Sequence, residues 1–369
     1  LPARLDPRDW QEKQPRLARV GRAMASANVT AIYLVHGTFV GNDALGLAHL
    51  FSGIWPAAAR RIRQWNKRLI DRLAKDIGNY TLHYRTLLER GLAAGGSPQI
   101  DVRRFTWSSE NHHLARLDCA LGLIEEIAAC GYPPDARVLL WGHSHAGNAF
   151  ALMSQLLSGD RERIEPILDG AAVFLRGRER ATVPGVQPPR SLEQLRSWLL
   201  NERPLQGVDY VTFGTPIRYA WCERQASRTL HVVHHRPQRG CPQYLTPMPA
   251  GWDDIQLAVH GDYVQQLGVA GSNTILNLLD WRTWLADRRL HRSLQQELQL
   301  RGLERMPWVK MARTMRLGMR VPRSGSTLLV DYGPQPARVL NHLAGHGVYT
   351  RHKWMLFHAE EVARQLYGL

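Results

Sequence analysis

Residues 137–157 read RVLLWGHSHAGNAFALMSQLL, and no other stretch predicts as much about the architecture of the chain. The run Arg137–Trp141 is apolar and short, which is typical of a buried strand. A helix-like segment, NAFALMSQLL, follows directly after Gly147. Between the two lies Ser144, with small residues two positions before it and three positions after it. The stretch therefore predicts a strand, a sharp turn that carries a serine, and a helix.

Five further apolar runs resemble strands, and helix-like segments alternate with them along the chain. Glycine, proline or a polar stretch ends each of these runs. The six strand-like runs cover residues 31–35, 102–107, 137–141, 210–213, 230–235 and 327–331. Strands that alternate with helices predict a mostly parallel sheet flanked by helices. The predicted fold class is therefore α/β.

Composition limits the class of protein before any motif is considered. The 369 residues are 44% hydrophobic, which is ordinary for a globular chain and too high for a disordered one. No apolar run reaches the roughly 18 residues of a membrane-spanning helix, so none is predicted. Lys and Arg outnumber Asp and Glu by 47 to 32, a formal net charge of +15. Such an excess suits an anionic partner.

Three stretches interrupt the alternation of strands and helices. They cover residues 159–207, 237–260 and 280–320. We interpret residues 1–369 as a single domain with these stretches as insertions, and we expect the insertions to form a cap or lid over the C-terminal edge of the sheet.

A second motif, His36-Gly37-Thr38-Phe39, follows the first predicted strand. A hydrolase that uses a serine nucleophile needs two backbone N–H groups aimed at the oxyanion of its tetrahedral intermediate. One is expected from the residue after the nucleophile, here His145. The loop after the earlier strand is expected to supply the other, from Thr38.

These motifs, in their chain order, resemble the α/β-hydrolase superfamily, and in particular its lipase and esterase branches. The resemblance is carried by GHSHAG at 142–147, HGTF at 36–39, TFGTP at 212–216 and a late histidine. GHSHAG is similar to the G-x-S-x-G nucleophile elbow. The resemblance covers residues 30–369 in outline and only these segments closely. It implies the α/β-hydrolase fold, a Ser–Asp–His triad on Ser144, no cofactor, and hydrolysis of carboxylic esters.

The base of such a triad follows the last strand, where four histidines are available: His342, His346, His352 and His358. His346 lies between two glycines, just before a helix-like segment, and HGVY at 346–349 is similar to the HxxY around the lipase histidine. We therefore predict His346 as the base. The other three histidines are assigned to packing, to loops or to the surface.

The acid of the triad is predicted at Asp262, which follows a glycine in HGDYV at 260–264. Asp253 and Asp254 in GWDDI are the alternatives, and Asp331 at the end of the last strand is a weaker one. Family members often place the acid a residue or two after the preceding strand. Asp262 would instead follow a connection of roughly 25 residues, which is long for a loop.

The leading functional prediction is a serine carboxylic-ester hydrolase, an esterase or lipase, that acts on an ester or lipid substrate. One alternative is a phospholipase or lipase effector that acts on membrane lipids, for which an anionic membrane surface would be the partner. Another is a non-enzymatic basic binding module on a hydrolase fold, with nucleic acid as its less favoured ligand.

Other ligands have little support in the sequence. No phosphate-binding glycine loop predicts a nucleotide, and the histidine pairs lack metal-ligand spacing, so neither a metal nor a cofactor is predicted. A disulfide between Cys222 and Cys241 stays open. The sequence does not distinguish a bacterial cytoplasmic protein from a secreted one.

Overall fold

In the part of the chain that the structure describes, six parallel strands form the central sheet. The computed structural model describes residues 7–37, 77–96, 98–180, 190–202, 204–223, 227–240, 249–270, 281–294, 320–333, 335 and 342–369. The strands are β1 (Val29–Val35), β2 (Asp101–Phe105), β3 (Arg137–His143), β4 (Gly207–Phe213), β5 (Thr229–His234) and β6 (Ser326–Val330). Their order across the sheet is β2-β1-β3-β4-β5-β6, and every neighbouring pair is parallel. The predicted mostly parallel sheet is confirmed, and each predicted strand overlaps an observed one.

Helices cover both faces of the sheet, as the sequence predicts. They are α1 (Pro7–Ser26), α2 (Leu82–Leu92), α3 (His113–Ala129), α4 (Ala146–Leu156), α5 (Arg161–Gly170), α6 (Ala172–Arg180), α7 (Leu192–Ser197), α8 (Trp252–Leu257), α9 (Tyr263–Ala270), α10 (Trp281–Ser293) and α11 (Met355–Tyr367). Short 3₁₀ turns occur at Ala94–Gly96, His346–Val348 and His352–Trp354, and a π-helical turn, Trp198–Glu202, follows α7. Among these helices, none is both long enough and apolar enough to span a bilayer.

Strand β3 illustrates why the sheet is buried on both faces. Successive side chains of a strand point to opposite faces. Val138 and Leu140 therefore join the apolar cluster that α3 and α4 form, whereas Leu139 and Trp141 join the cluster that α1, α2 and α11 form. The carboxyl ends of all six parallel strands meet at one edge, so the loops that follow β1, β3, β4, β5 and β6 come together there.

The predicted insertions contribute helices to the layer on the α3 and α4 face. The described part of 159–207 contains α5, α6 and α7, and the 280–320 stretch contains α10. Their apolar side chains join the same cluster as α3 and α4; among them are Ile164, Leu168, Leu195 and Leu290. The remaining parts, residues 181–189, 203, 241–248 and 295–319, lie outside the described residues. The cap or lid stays a prediction.

Candidate active site

Ser144 occupies a left-handed turn between β3 and α4. Its φ is 56°, a region that costs a residue with a side chain about 1–2 kcal/mol. Neighbouring groups hold the turn in place. The Ser144 N–H donates to Phe213 O at 2.8 Å, and the Ser144 carbonyl accepts from Gly147 N–H at 3.1 Å and from the Thr215 hydroxyl at 2.7 Å. A strained backbone that its surroundings over-determine is typical of functional positions.

Small residues let this turn form. A Cβ at Gly142 would collide with the Phe150 ring, and a Cβ at Gly147 would collide with the Thr215 side chain. In the G-x-S-x-G pattern, the second residue after the serine is a glycine. Here that residue is Ala146, which is fully buried. The elbow therefore departs from the pattern by one methyl group, which its surroundings accommodate.

The loop after β1 approaches the serine directly. A Cβ at Gly37 would lie 2.7 Å from the Cβ of Ser144 and 3.2 Å from Nδ1 of His143. Gly37 is the last described residue of this loop, and Thr38, the predicted oxyanion donor, lies outside the described residues. The other predicted donor, the N–H of His145, directly follows Ser144 at the N-terminus of α4. N–H groups in the first turn of a helix lack partners within the helix.

His346 and Asp262 form a buried pair at the same edge of the sheet. Nδ1 of His346 lies 2.7 Å from Oδ2 of Asp262, and Asp262 is fully buried. Two further donors reach the carboxylate: the Gln265 N–H at 2.8 Å from Oδ1, and the Tyr349 hydroxyl at 3.1 Å from Oδ2. Burial alone would raise the pKa of Asp262, but the charge and hydrogen bond of His346, together with the smaller contributions of Gln265 and Arg320, lower it. Asp262 is therefore ionised at neutral pH.

The opposite nitrogen of His346 is available for chemistry. Nε2 is buried and has no hydrogen-bond partner among the described residues. With Nδ1 bonded to a carboxylate, the proton of the neutral imidazole lies on Nδ1, and Nε2 is left as a proton acceptor.

His143, the residue before the serine, contacts the backbone of His346. Its Nε2 donates to the carbonyl of His346 at 3.0 Å, and the two rings pack with their centroids 4.5 Å apart. Burial, followed by the charge of His346, lowers the pKa of His143 to about 3, so His143 is neutral at working pH. The contact joins the end of β3, which carries the serine, to the turn that carries the histidine.

The long connection to Asp262 leaves β5 and returns to it. We call residues 236–262 the acid loop. An antiparallel bridge pairs His235 with Gly261, the Asp262 N–H donates to His234 O at 3.1 Å, and the Arg236 N–H donates to His260 O at 3.3 Å. These contacts form the neck of the loop. Asp262 therefore lies at the carboxyl end of β5, although residues 235–261 separate it along the chain from His234, the last residue of that strand.

The turn before His346 packs on the neck of the acid loop. Leu343, Ala344 and Gly345 have successive φ values of 48°, 50° and 89°. The Ala344 carbonyl accepts from the Tyr263 N–H at 3.1 Å, and the Gly345 carbonyl accepts from Nδ1 of His234 at 3.1 Å. A Cβ at Gly345 would collide with the carbonyl of Gly261, so glycine is required there.

The alternative acids make contacts elsewhere. Asp253 is exposed on α8, and Asp254 accepts from the Ala250 N–H at 2.7 Å. Asp331 lies 3.1 Å from the Arg236 guanidinium and is half exposed. The structure therefore brings Asp262, and none of these three, into a hydrogen bond with His346.

The other late histidines also make separate contacts. Nδ1 of His342 accepts from the Gly345 N–H at 3.0 Å, and Nε2 of His358 lies 2.6 Å from the Tyr332 hydroxyl. His352 packs its ring on His83 and Tyr84.

Two buried side chains beside the acid have no role in the sequence predictions. Tyr349 donates to Asp262, and its only signal in the sequence is its place in HGVY. Arg320 is fully buried and bonds to the acid loop, and no pattern in the sequence indicates this.

Metal and disulfide chemistry can be considered only for the described residues. Within them, no group of three or more His, Cys, Asp or Glu side chains could hold a metal ion. Cys222 carries a free thiol, and Cys241 lies outside the described part of the chain.

Comparisons with models of known protein families, with curated protein sequences and with solved structures give no match for this chain. Chemically, the arrangement combines the Ser144 hydroxyl in a left-handed turn, an imidazole oriented by a buried carboxylate, and N–H groups of a helix N-terminus next to the serine. Such a set can activate an alcohol for attack on a carbonyl once Nε2 of His346 accepts the proton of the hydroxyl, a hydrogen bond that this structure does not contain.

Proposed function

We propose that this protein is a serine hydrolase of the α/β-hydrolase class, and that it cleaves carboxylic esters through an acyl-enzyme on Ser144. The observation that carries the proposal is the combination of a left-handed serine between β3 and α4 with the Asp262–His346 pair at the same sheet edge. The chain order Ser, Asp, His is the order that this class uses.

The proposed mechanism follows from the proton positions. Nε2 of His346 takes the proton of the Ser144 hydroxyl as its oxygen attacks the ester carbonyl. Asp262 stabilises the imidazolium that forms, and the amides of His145 and Thr38 donate to the oxyanion. When the tetrahedral intermediate collapses, the alcohol leaves with the proton from His346. A water molecule then attacks the acyl-enzyme by the same route and releases the acid.

A fluorophosphonate probe tests the proposal because it reacts with activated serines. The wild-type protein should be labelled and should hydrolyse p-nitrophenyl esters, whereas Ser144→Ala should do neither. Ser158→Ala is the matched control, since the Ser158 hydroxyl bonds to Gln155 O at the far end of α4. A folded wild-type protein that resists labelling and instead binds DNA in a salt-sensitive way would favour the basic binding module.

A phospholipid ester is the second candidate substrate, and one observation favours it. Burial, followed by the charges of Arg116 and Arg218, holds the pKa of His145 well below its ordinary value. Two guanidinium groups therefore act electrostatically on the residue after the nucleophile, and a positive potential there favours a substrate with an anionic group.

Vesicles distinguish the two candidate substrates. Phosphatidylglycerol should be hydrolysed faster than the neutral diacylglycerol with the same acyl chains, and added salt should reduce the difference. Equal rates on the two lipids would leave the simple ester hydrolase as the better description. We also propose that the insertions at 159–207, 237–260 and 280–320 form a cap or lid over the C-terminal edge of the sheet.

A further inference from the structure

Arg320 is a fully buried cation that the proposed chemistry does not use. Its Nη1 donates to two backbone carbonyls, those of His234 and His260, each at 2.9 Å. Its Nη2 donates to Oε1 of Gln266 at 3.2 Å. The planar guanidinium fork therefore reaches three oxygens that come from three segments of the chain.

Two of these oxygens belong to the neck of the acid loop. His234 ends β5, and His260 lies two residues before Asp262. The Arg320 guanidinium thus connects the strand to the returning end of the loop. Gly261 makes room for it: its φ is +104°, and a Cβ there would lie 2.8 Å from Nη1 of Arg320 and collide with His234 O. The conformation of the neck and the position of the guanidinium depend on each other.

The backbone of Arg320 reaches the acid by a second route. Its carbonyl accepts from Nε2 of Gln265 at 3.3 Å, and the same amide group donates to Thr215 O at 2.9 Å. The backbone N–H of Gln265 donates to Oδ1 of Asp262. Arg320 therefore binds both His260, two residues before Asp262, and Gln265, whose N–H binds the carboxylate of Asp262.

The charge of Arg320 also acts on the site. Burial lowers the pKa of Arg320 to about 10, while the negative charge of Asp262 opposes the shift, so the guanidinium is charged at neutral pH. Its hydrogen bonds go to neutral oxygens, which a neutral donor could also satisfy. The titratable side chains that its charge affects are Asp262, Tyr263, Tyr349, His234, His235 and His260. Of these, Asp262 is the buried anion that a positive charge favours.

We propose that Arg320 is a positioning residue, whose guanidinium fixes the neck of the acid loop and supplies positive charge beside the buried carboxylate of Asp262. The inference rests on the proposed function, because it takes Asp262 as the acid of the triad. Arg320 acts through Asp262 and Gln265 and does not itself touch the serine or the histidine in the described contacts.

Two substitutions separate the geometric role from the charge. Arg320→Met removes both, and we expect kcat per labelled site to fall about a hundredfold, with KM nearly unchanged. Without the cation, Asp262 binds a proton more readily, so the acid limb of kcat/KM should move to higher pH. Arg320→Lys keeps the positive charge but loses the planar guanidinium and its several donors. We therefore expect kcat to fall while the acid limb of kcat/KM stays at the same pH. Arg323→Met, on the exposed residue three positions later, is the charge-matched control and should behave as wild type.

A measurement without substrate tests the same inference independently of activity. The proton between His346 and Asp262 should give a low-field ¹H NMR resonance that is absent in His346→Gln. It should be lost or shifted in Arg320→Met and retained in Arg323→Met. If Arg320→Met fails to fold, Arg320→Gln takes its place as the neutral variant.

The outcomes distinguish this inference from the proposed function. A folded neutral variant that keeps the wild-type kcat, acid limb and resonance overturns the role of Arg320. A variant that loses only thermal stability, with the limb and the resonance unchanged, also overturns it, because a purely structural residue would behave in that way. A wild-type protein that shows the resonance but neither labelling nor hydrolysis overturns the proposed function, and the resonance of the variants still decides the role of Arg320.

Discussion

Tyr349→Phe removes one hydroxyl from the most enclosed part of the candidate site. In the wild-type protein this hydroxyl donates to Oδ2 of Asp262 at 3.1 Å and accepts from the His234 N–H at 2.7 Å. Tyr349 is fully buried, so water cannot replace either contact. The substitution leaves the packing of the ring unchanged and removes only the two hydrogen bonds.

The size of the effect follows from these contacts. A hydrogen bond to a charged group is worth about 1.5–3 kcal/mol, and an unsatisfied buried N–H costs about 1–3 kcal/mol. The two losses share one oxygen atom and are not additive, so we expect the free energy of unfolding to fall by about 3 kcal/mol. Asp262 keeps its contacts with His346 and Gln265. We therefore expect kcat to fall only about tenfold, which corresponds to about 1.4 kcal/mol.

The loss of stability should depend on pH in one direction. The pKa of Asp262 is below its ordinary value in the folded protein, so the ionised carboxylate stabilises the fold above its unfolded pKa of about 4. This contribution is lost as the pH falls through the lower, folded value. Tyr349→Phe removes a donor that favours the ionised form, which moves the folded pKa upward. The difference between wild type and variant should therefore be largest above about pH 4 and shrink in more acidic solution.

Urea unfolding and p-nitrophenyl ester kinetics, normalised by fluorophosphonate titration, measure the two effects. Tyr84→Phe is the control, because Tyr84 is equally buried and its hydroxyl has no hydrogen-bond partner among the described residues. That variant should be as stable as wild type or more so. A Tyr349→Phe protein as stable as Tyr84→Phe, with the wild-type kcat, would refute the reasoning.

Three further predictions concern the elbow and the acid. Asp262→Asn should lower kcat by about 10³–10⁴-fold, because the imidazole loses its orienting anion; a loss below tenfold contradicts the assignment. Ser144→Gly should raise the free energy of unfolding by about 1 kcal/mol and Ser144→Ala should not, because only glycine tolerates the left-handed turn; equal melting temperatures would count against strain there. Gly147→Ala should destabilise by about 1–3 kcal/mol through its collision with Thr215, whereas Gly177→Ala, which meets open space, should not; the comparison is made by thermal unfolding.

The sheet could be predicted from the sequence because each strand is a short apolar run that ends at a turn-forming or polar residue. Local rules of this kind act over a few residues, so they also predicted the strand–turn–helix around Ser144. These local rules do not predict the order of the strands in the sheet, because that order depends on how the helices cover its two faces. The bounds differ by a few residues for the same reason: β4 begins at Gly207, three residues before the predicted start.

The candidate site was less accessible to sequence reasoning, because its contacts join residues that lie far apart in the chain. A local pattern favours Asp262 despite the long connection before it, and the bridge between His235 and Gly261, which brings the two ends of that connection together, has no local signal in the sequence. Arg320 is one of many arginines in a basic stretch. Its burial and its two carbonyl partners depend entirely on tertiary structure.

The neck of the acid loop determines the position of Asp262, whatever the length of the loop before it. Once His234, His235 and Gly261 are held together, the number of residues between them can change without moving Asp262. A peptide could therefore be inserted into this stretch of sequence, or residues removed from it, with the pair Asp262 and His346 left in register.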